Sequence, residues 1–472
     1  MYDVIIVGAR VAGAATALLA ARRGLTVLVL DRATFPSDTL STHNIQLSGV
    51  ARLARWGLLD RIAAAGTPAT RRITLTVGGV ELAGAVPRHE DVDALYCPRR
   101  ILLDAVLVDA ARAAGAEVRE GAVVEEVLTE GGVVVGVRGR HKDGPAFTER
   151  ARLVVGADGK HSLVARAAGA GVLHQEAPRT MASYTYWSGT RVDEGLMSAL
   201  PGRAVGVWPT NDGLTMTYVA WPAGEFAAYR RDPEANLLAT LDAAGLGPVF
   251  REARRAERIR STPDVPTVVR AVHGPGWALV GDAGLVIDPI TARGISDALR
   301  DAELLVDAAE AGLGGKVPVA RALDGYQRAR DAAARPAVDF TAHLARLAAP
   351  RPEEQALFEA LASSRGDTDV FLAMICDALP VRAFMSPRRI IRLVGVRGLV
   401  RLVTGRARTA RLHPVTSPGT WWSPSPRRRR GSRTPGLSCA RPGSSSRRRA
   451  ASLLAERTSS PSWSRSGCEC RP

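Results

Sequence analysis

The chain opens on an apolar run, Tyr2-Asp-Val-Ile-Ile-Val7, that stops at Gly8. An Ala-rich stretch follows Gly13, and a second apolar run, Leu25 to Leu30, closes on Asp31. A buried strand, a glycine turn, a helix and a second buried strand in that order specify a β-α-β unit with parallel strands. Gly8 allows the sharp turn, and Gly13 lets the helix lie close on the sheet. The turn Gly8-Ala9-Arg10-Val11-Ala12-Gly13 then offers the free N–H groups of a helix N-terminus to a pyrophosphate. Asp31, 23 residues past Gly8, stands where an acid accepts hydrogen bonds from a ribose hydroxyl, and the adjacent Arg32 is assigned to the same site. Arg10 occupies the place of the middle glycine of such a fingerprint. It blocks close backbone approach to the pyrophosphate unless its side chain turns away. The segment reads as dinucleotide-binding.

The net charge of +16 on 472 residues suggests a polyanion partner until its location is considered. Residues 411–472 hold 13 Arg, no Lys and two acids, Glu456 and Glu469, which is +11; the preceding 410 residues carry only +5. The charge belongs to the tail, so the body of the chain is not read as a nucleic-acid binder. Cys97 and Cys376 stand alone in apolar company, while Cys439, Cys468 and Cys470 fall in the tail. No Cys/His spacing suggests a metal or a disulfide framework, which fits a reducing compartment. The N-terminal apolar run is a strand without a basic leader, and no run of 18 apolar residues occurs, so a soluble, cytoplasmic protein is expected.

Along the chain, residues 47–65 and 100–114 have helical spacing of apolar positions. Ile73 to Leu82 alternates around Gly78-Gly79, a hairpin signal. Leu153-Val-Val-Gly-Ala-Asp158-Gly159 is a buried strand that ends on an acid and a turn. Residues 180–270 change texture, with Tyr184, Tyr186, Trp187, Trp208, Tyr218 and Trp221 in alternating patterns and one helix near 234–256. Trp187, Trp208, Tyr218 and Trp221 are each read first as sheet packing, with at least one expected to face a ligand. Ala278-Leu-Val-Gly281-Asp282 returns to the buried-strand style; residues 295–311, 320–347 and 353–363 are helical, with a kink or break expected at Pro336. The basic stretch 390–403 is taken as a solvated helix end rather than a membrane-surface helix.

The expected architecture is therefore α/β: a Rossmann-like dinucleotide-binding domain over 1–178, with small inserted β elements at 73–97, a substrate-binding mixed sheet over 179–270, a return to the first domain over 271–320 and a helical region over 321–404. A low-complexity basic tail, 405–472, is expected to be disordered and without a selected role. Its Arg, Ser, Pro and Gly vocabulary is what a reading-frame change in GC-rich DNA gives. Nucleic-acid or membrane binding through its Arg clusters is the competing reading.

Three segments taken together carry a resemblance: the turn at 8–13, Gly156-Ala-Asp158-Gly159, and Gly281-Asp282-Ala283 continuing to Pro289 and Gly294-Ile295. In this order and spacing they resemble the FAD-dependent monooxygenases that have the para-hydroxybenzoate hydroxylase fold, over roughly residues 1–400. The resemblance implies that Asp282 meets the ribityl chain of FAD and that Asp158 supports both FAD and a nicotinamide cofactor. It also implies that Arg100 packs against FAD, and that the helix opened by Gly294-Ile295 points its N-terminus at the flavin. A positive helix end there stabilises negative charge on reduced flavin. Segment 36–44 lies where relatives contact FAD, and it resembles the geranylgeranyl-reductase and halogenase branches; His43 within it is read as a loop cap or a flavin contact. His161 and His273 are read as surface or structural.

Departures from the family pattern are Arg10, Leu285 where many relatives have His, Ala292 in place of Gly, and Ser296 in place of Asn. The implied activity is that of an FAD enzyme that uses NADPH or NADH transiently, since no second Gly fingerprint is present, together with O2. It would hydroxylate an aromatic or polycyclic small molecule. A reductase of isoprenoid double bonds is the alternative. A halogenase ranks lower, because the Trp-x-Trp-x-Ile-Pro signature of that branch is absent. No catalytic residue, metal or oligomeric state is assigned.

Overall fold

The structure, a computed structural model, describes residues 1–412, with side chains through residue 402. The first sheet is built around four parallel strands in the spatial order Val27–Leu30, Tyr2–Val7, Ala146–Gly156 and Trp277–Leu279. Glu117–Arg119 extends it beyond Val27–Leu30, and His273–Gly274 closes the other side. Where they pair in parallel the strands are apolar and buried on both faces, as parallel strands covered by helices must be, whereas the first half of Ala146–Gly156 is polar and largely exposed. Helix Val11–Arg22 packs between helix Arg100–Ala113 and helix Gly294–Leu313.

Registration makes this sheet a platform. Leu30 lies opposite Val7, Val7 opposite Gly156, and Gly156 opposite Leu279, so four strands end level on one edge. The chain departs from the first strand to one neighbour and later returns on its other side. That reversal opens a crevice at the carboxyl ends of the strands.

The second sheet runs Arg254–Arg255, Thr180–Ser188, Thr215–Pro222, Arg203–Pro209, Gly195–Leu200, Arg72–Val77, Val80–Ala85. The hairpin expected around Gly78-Gly79 forms, and it joins this sheet by parallel pairing of Arg72–Val77 with Gly195–Leu200. Period-two alternation divides the aromatics between two faces. Met181, Trp187, Val219 and Trp221 pack against Leu237 and Leu241 of helix Pro233–Ala243. Trp208, Met216 and Tyr218 project to the opposite side, where Gly195 and Gly206 leave room for the Trp208 indole: an added Cβ at Gly195 would come within 2.1 Å of that ring.

Helices Val319–Leu344, Pro352–Ala362, Arg365–Ile375 and Pro387–Leu412 complete the described chain. The helix from Val319 runs unbroken through Pro336, against the expected break there. The final helix crosses position 405, where the basic tail was expected to begin, and the rest of that tail lies outside the described residues. Among the described residues no helix is long and apolar enough to cross a membrane.

Candidate functional site: a dinucleotide cleft beside an apolar cavity

Each of the four level strand ends carries one of the sequence motifs. After Val7 the backbone turns at Gly8 with φ +102°, and an added Cβ there would lie 2.5 Å from the Ala157 carbonyl oxygen. The first turn thus presses against the third strand's motif. Gly13 sits on the turn just as tightly, its Cβ position 1.8 Å from the Gly8 oxygen. Val11 and Ala9 are buried in packing, so what this turn presents is backbone N–H.

Asp31 is buried at the end of the second strand. Its Oδ2 accepts the Ala9 N–H at 2.6 Å, and its Oδ1 accepts the Ala33 N–H at 2.7 Å. Each oxygen keeps acceptor capacity for a further donor. Arg32 is exposed beside it.

Arg10 directs its guanidinium at Asp104 and at the loop 37–38. Its guanidinium donates to Asp104 Oδ2 at 2.6 Å, to the Ser37 carbonyl and hydroxyl oxygens at 3.3 and 3.2 Å, and to the Asp38 carbonyl at 3.2 Å. Arg100 reaches the same fully buried Asp104 from one helical turn away, at 2.9–3.1 Å. Two guanidinium groups and one carboxylate leave a net positive charge beside the cleft, suited to a pyrophosphate. The Arg10–Asp104 partnership, across 94 residues, was not foreseen.

At the third strand end, Asp158 Oδ2 accepts the N–H groups of Leu163 and Val164, the first two of the short helix whose N-cap is Ser162. Asp158 Oδ1 is buried without a hydrogen-bond partner among the described residues. Gly159, at φ +79°, leaves open space where a Cβ would stand. Arg270 links this turn to the fourth, donating to the Lys160 and Ala283 carbonyls at 3.2 and 3.1 Å. No sequence signal marked Arg270.

At the fourth end, Gly281 adopts φ +60°, and an added Cβ there would meet Ala12 of the first helix at 2.8 Å. The Asp282 side chain is surface-accessible yet deeply set. That combination describes a group facing a cleft. Burial raises its carboxyl pKa, opposed by Arg100 and Lys160. Beyond it, Asp288 caps the turn Pro289–Thr291 through the Ile290 N–H, and Ala292 takes the left-handed conformation at φ +50°. This explains the glycine of relatives at this position. Ser296 Oγ accepts the Gln46 N–H at 3.0 Å, so the residue replacing Asn anchors segment 42–46 to the helix that starts at Gly294. Gly294 is exposed with open space beside it, while Ile295 is buried in the core.

His43 is fully buried at φ +61°, its Nε2 2.7 Å from the Tyr186 hydroxyl and its ring edge-on to Tyr184. Burial, with Arg100 nearby, lowers its pKa to about 3, so the ring is neutral at physiological pH.

Between the second sheet and the C-terminal helices lies a cavity of about 770 Å3. Trp208, Met216 and Tyr218 form one wall, and Phe340 and Phe371 belong to the other. Asn44, Gln46 and the turn Pro289–Arg293 line it too, so the cavity reaches the loop that follows Asp282. Its lining is mainly apolar, the usual character of an organic ligand site.

These features fit FAD on this structure's own terms: an edge of four motif ends, a turn closed to any Cβ, an unpartnered Asp158 oxygen and an accessible Asp282. A family model described as "FAD binding domain" matches residues 1–341. The chain belongs to the FAD binding domain family. It is accordingly an enzyme of the FAD-dependent oxidoreductase class. Its relatives diverge in chemistry. Over 337 residues the chain is 23% identical to tryptophan 2-halogenase of Chondromyces crocatus, covering 69% of this chain and 64%, less than two thirds, of that protein. It is 29% identical over 320 residues to digeranylgeranylglycerophospholipid reductase of Methanocella arvoryzae, covering 64% and 76%. The fold matches p-nitrophenol 4-monooxygenase of Pseudomonas putida with a TM-score of 0.68 at 20% identity, over 81% of this chain and 99% of that one.

Proposed function

We propose that the chain is an FAD-dependent monooxygenase that uses NADPH or NADH and O2 to hydroxylate an aromatic or polycyclic small molecule. The observation that carries this reading is the apolar cavity of about 770 Å3 that opens on the Pro289–Arg293 turn. FAD, when bound, supplies the redox and oxygen chemistry. The residues assigned to hold it are the turn Gly8–Gly13, Asp31, Arg32, Arg100, Asp158, Gly159, Gly281, Asp282, Pro289, Gly294 and Ile295, while His43, fully enclosed beside Tyr184 and Tyr186, is assigned to hold its own loop rather than to touch the flavin.

The chain's own contributions are binding, orientation and exclusion of water. The turn N–H groups and the net positive Arg10–Asp104–Arg100 cluster face the pyrophosphate. Asp31 accepts from the adenosine ribose and Asp282 from the ribityl hydroxyls. The N-terminus of helix Gly294–Leu313 would supply partial positive charge to stabilise a negatively charged flavin held beside it. Aromatic and aliphatic walls keep the substrate in a dry pocket. The nicotinamide cofactor is a transient visitor to the same cleft.

A reductase of isoprenoid double bonds is the second reading, favoured by the 29% identity to digeranylgeranylglycerophospholipid reductase and by the mainly apolar lining. The test is NAD(P)H oxidation by the FAD-loaded protein, with and without O2, across phenols, polyketides and prenyl compounds. Substrate-dependent O2 uptake with oxygen incorporation is expected. Anaerobic turnover that saturates a prenyl double bond would replace the first reading by the second.

A further inference from the structure

Tyr218 stands on the cavity side of the second sheet, opposite Gly206 on one neighbouring strand and Tyr184 on the other. It is 6% exposed, and its hydroxyl has no hydrogen-bond partner among the described residues. The segment tied to the Pro289–Thr291 turn through Gln46 contributes two more orphans. Asn44 Oδ1 and Gln46 Oε1 are both buried and unpartnered, and both residues line the same cavity. Native proteins leave few buried polar atoms unsatisfied, and each one calls for a partner such as a ligand. Ser198 Oγ, on strand Gly195–Leu200, is a further neutral orphan in the same mainly apolar lining.

We propose that the Tyr218 hydroxyl and the side-chain carbonyls of Asn44 and Gln46 form a hydrogen-bonding subsite for a neutral hydroxyl or carbonyl group carried on an apolar ring skeleton. The tyrosine donates to a ligand oxygen, and the two amide carbonyls accept from a ligand hydroxyl. Burial, with Asp288 nearby, pushes the Tyr218 pKa well up, which keeps the phenol protonated as a donor. A polyprenyl hydrocarbon would leave all three atoms unpaired, whereas a hydroxylated or keto-bearing polycycle satisfies them. A site built to hydrogen-bond a hydroxyl rejects the analogue lacking it far more strongly than an apolar pocket rejects a size change. The inference rests on the cavity being the substrate site and fixes the class of substrate it takes.

The test is a binding measurement on the full-length, FAD-loaded, oxidised protein, without turnover. The probes are 2-naphthol and its near-isostere 2-methylnaphthalene, followed by perturbation of the flavin absorbance. Wild type is expected to bind 2-naphthol at least about tenfold tighter, the effect of one good hydrogen bond. Tyr218→Phe is expected to lose that preference while its melting temperature without probe stays the same or rises, because the substitution removes an unpaired buried hydroxyl. Equal affinities in wild type, no saturable binding of either compound, or a preference retained in Tyr218→Phe would overturn the proposal. So would a lower melting temperature of Tyr218→Phe, which would show that the hydroxyl already has a partner. No oxygen enters these measurements, so a chain that fails to consume O2 yet prefers 2-naphthol loses the monooxygenase reading alone.

Discussion

Arg10 Nη1 and Asp104 Oδ2 are 2.6 Å apart, and Asp104 is fully buried beneath them. Through this contact a residue that departs from the dinucleotide fingerprint becomes part of the cleft. The guanidinium fastens loop 37–38 to the helix that carries Arg100. The charge remains close enough to favour an anion.

Removing Asp104 should therefore damage the fold more than removing either arginine. Asp104→Ala leaves Arg100 largely buried with its ion pair lost and Arg10 untied; a loss of about 3 kcal/mol is expected for breaking such a pair from one side. Chemical denaturation of the apoprotein measures it. A midpoint within error of wild type would contradict the assignment of Asp104 as the shared partner.

Asp282→Asn separates stability from function. The folded-state pKa of Asp282 lies above its ordinary value of 3.8. Below that ordinary value the group is protonated in both states and costs nothing. As pH rises through the raised pKa, ionisation in the cleft works against folding. The Asn variant of the apoprotein should thus be at least as stable as wild type at pH 7, with the advantage fading below about pH 4. Its FAD retention should fall, since Asn offers the ribityl hydroxyls a neutral and weaker acceptor. Thermal scans across pH and flavin content after dialysis report the two effects independently.

Ala292 pays conformational strain for its φ of +50°. Ala292→Gly should leave the melting temperature unchanged or raise it, because relief of about 1 kcal/mol offsets the extra entropy of an unfolded glycine. Ala292→Val, with its β-branch, should lower it. A destabilised Gly variant would show that the methyl group packs in a way that outweighs the strain.

Asp158→Ala should lose the acceptor of the Leu163 and Val164 N–H groups, a loss of about 1 kcal/mol, while the Ser162 cap on Ala165 N–H remains. It should also slow reduction by NAD(P)H more than it lowers flavin content. Stopped-flow reduction at saturating FAD reads the second effect, and equal rates in variant and wild type would remove the nicotinamide role.

What the sequence made legible is what is encoded locally. Strand, turn and acid lie within a few residues of one another at Gly8, Asp31, Asp158 and Asp282, so the four motifs could be found one by one. Their convergence on one edge follows from strand order and register, which no single segment carries. The hairpin 72–85 was visible from Gly78-Gly79, but its pairing with Gly195–Leu200 spans more than a hundred residues and leaves no local trace. Arg100 was tied to FAD only through the resemblance, and nothing local shows that Arg10, 94 residues from Asp104, joins the pair. Trp187, Trp208, Tyr218 and Trp221 were all read as packing with at least one facing a ligand, and only the strand register sorts Trp208 and Tyr218 onto the cavity face. A kink or break was expected at Pro336; the helix is not ended there, because the loss of one N–H is local and Leu323, Tyr326, Ala334 and Val338 on either side are buried in packing.

The most direct measurement is FAD titration of the purified apoprotein, wild type beside Asp31→Ala. One FAD per chain is expected in wild type. The variant should bind more weakly by about 1.5–3 kcal/mol, the cost of losing a charged acceptor from the ribose hydroxyls. Wild-type protein that takes up no flavin, or an Asp31→Ala protein with undiminished affinity, would contradict the placement of FAD along the four strand ends.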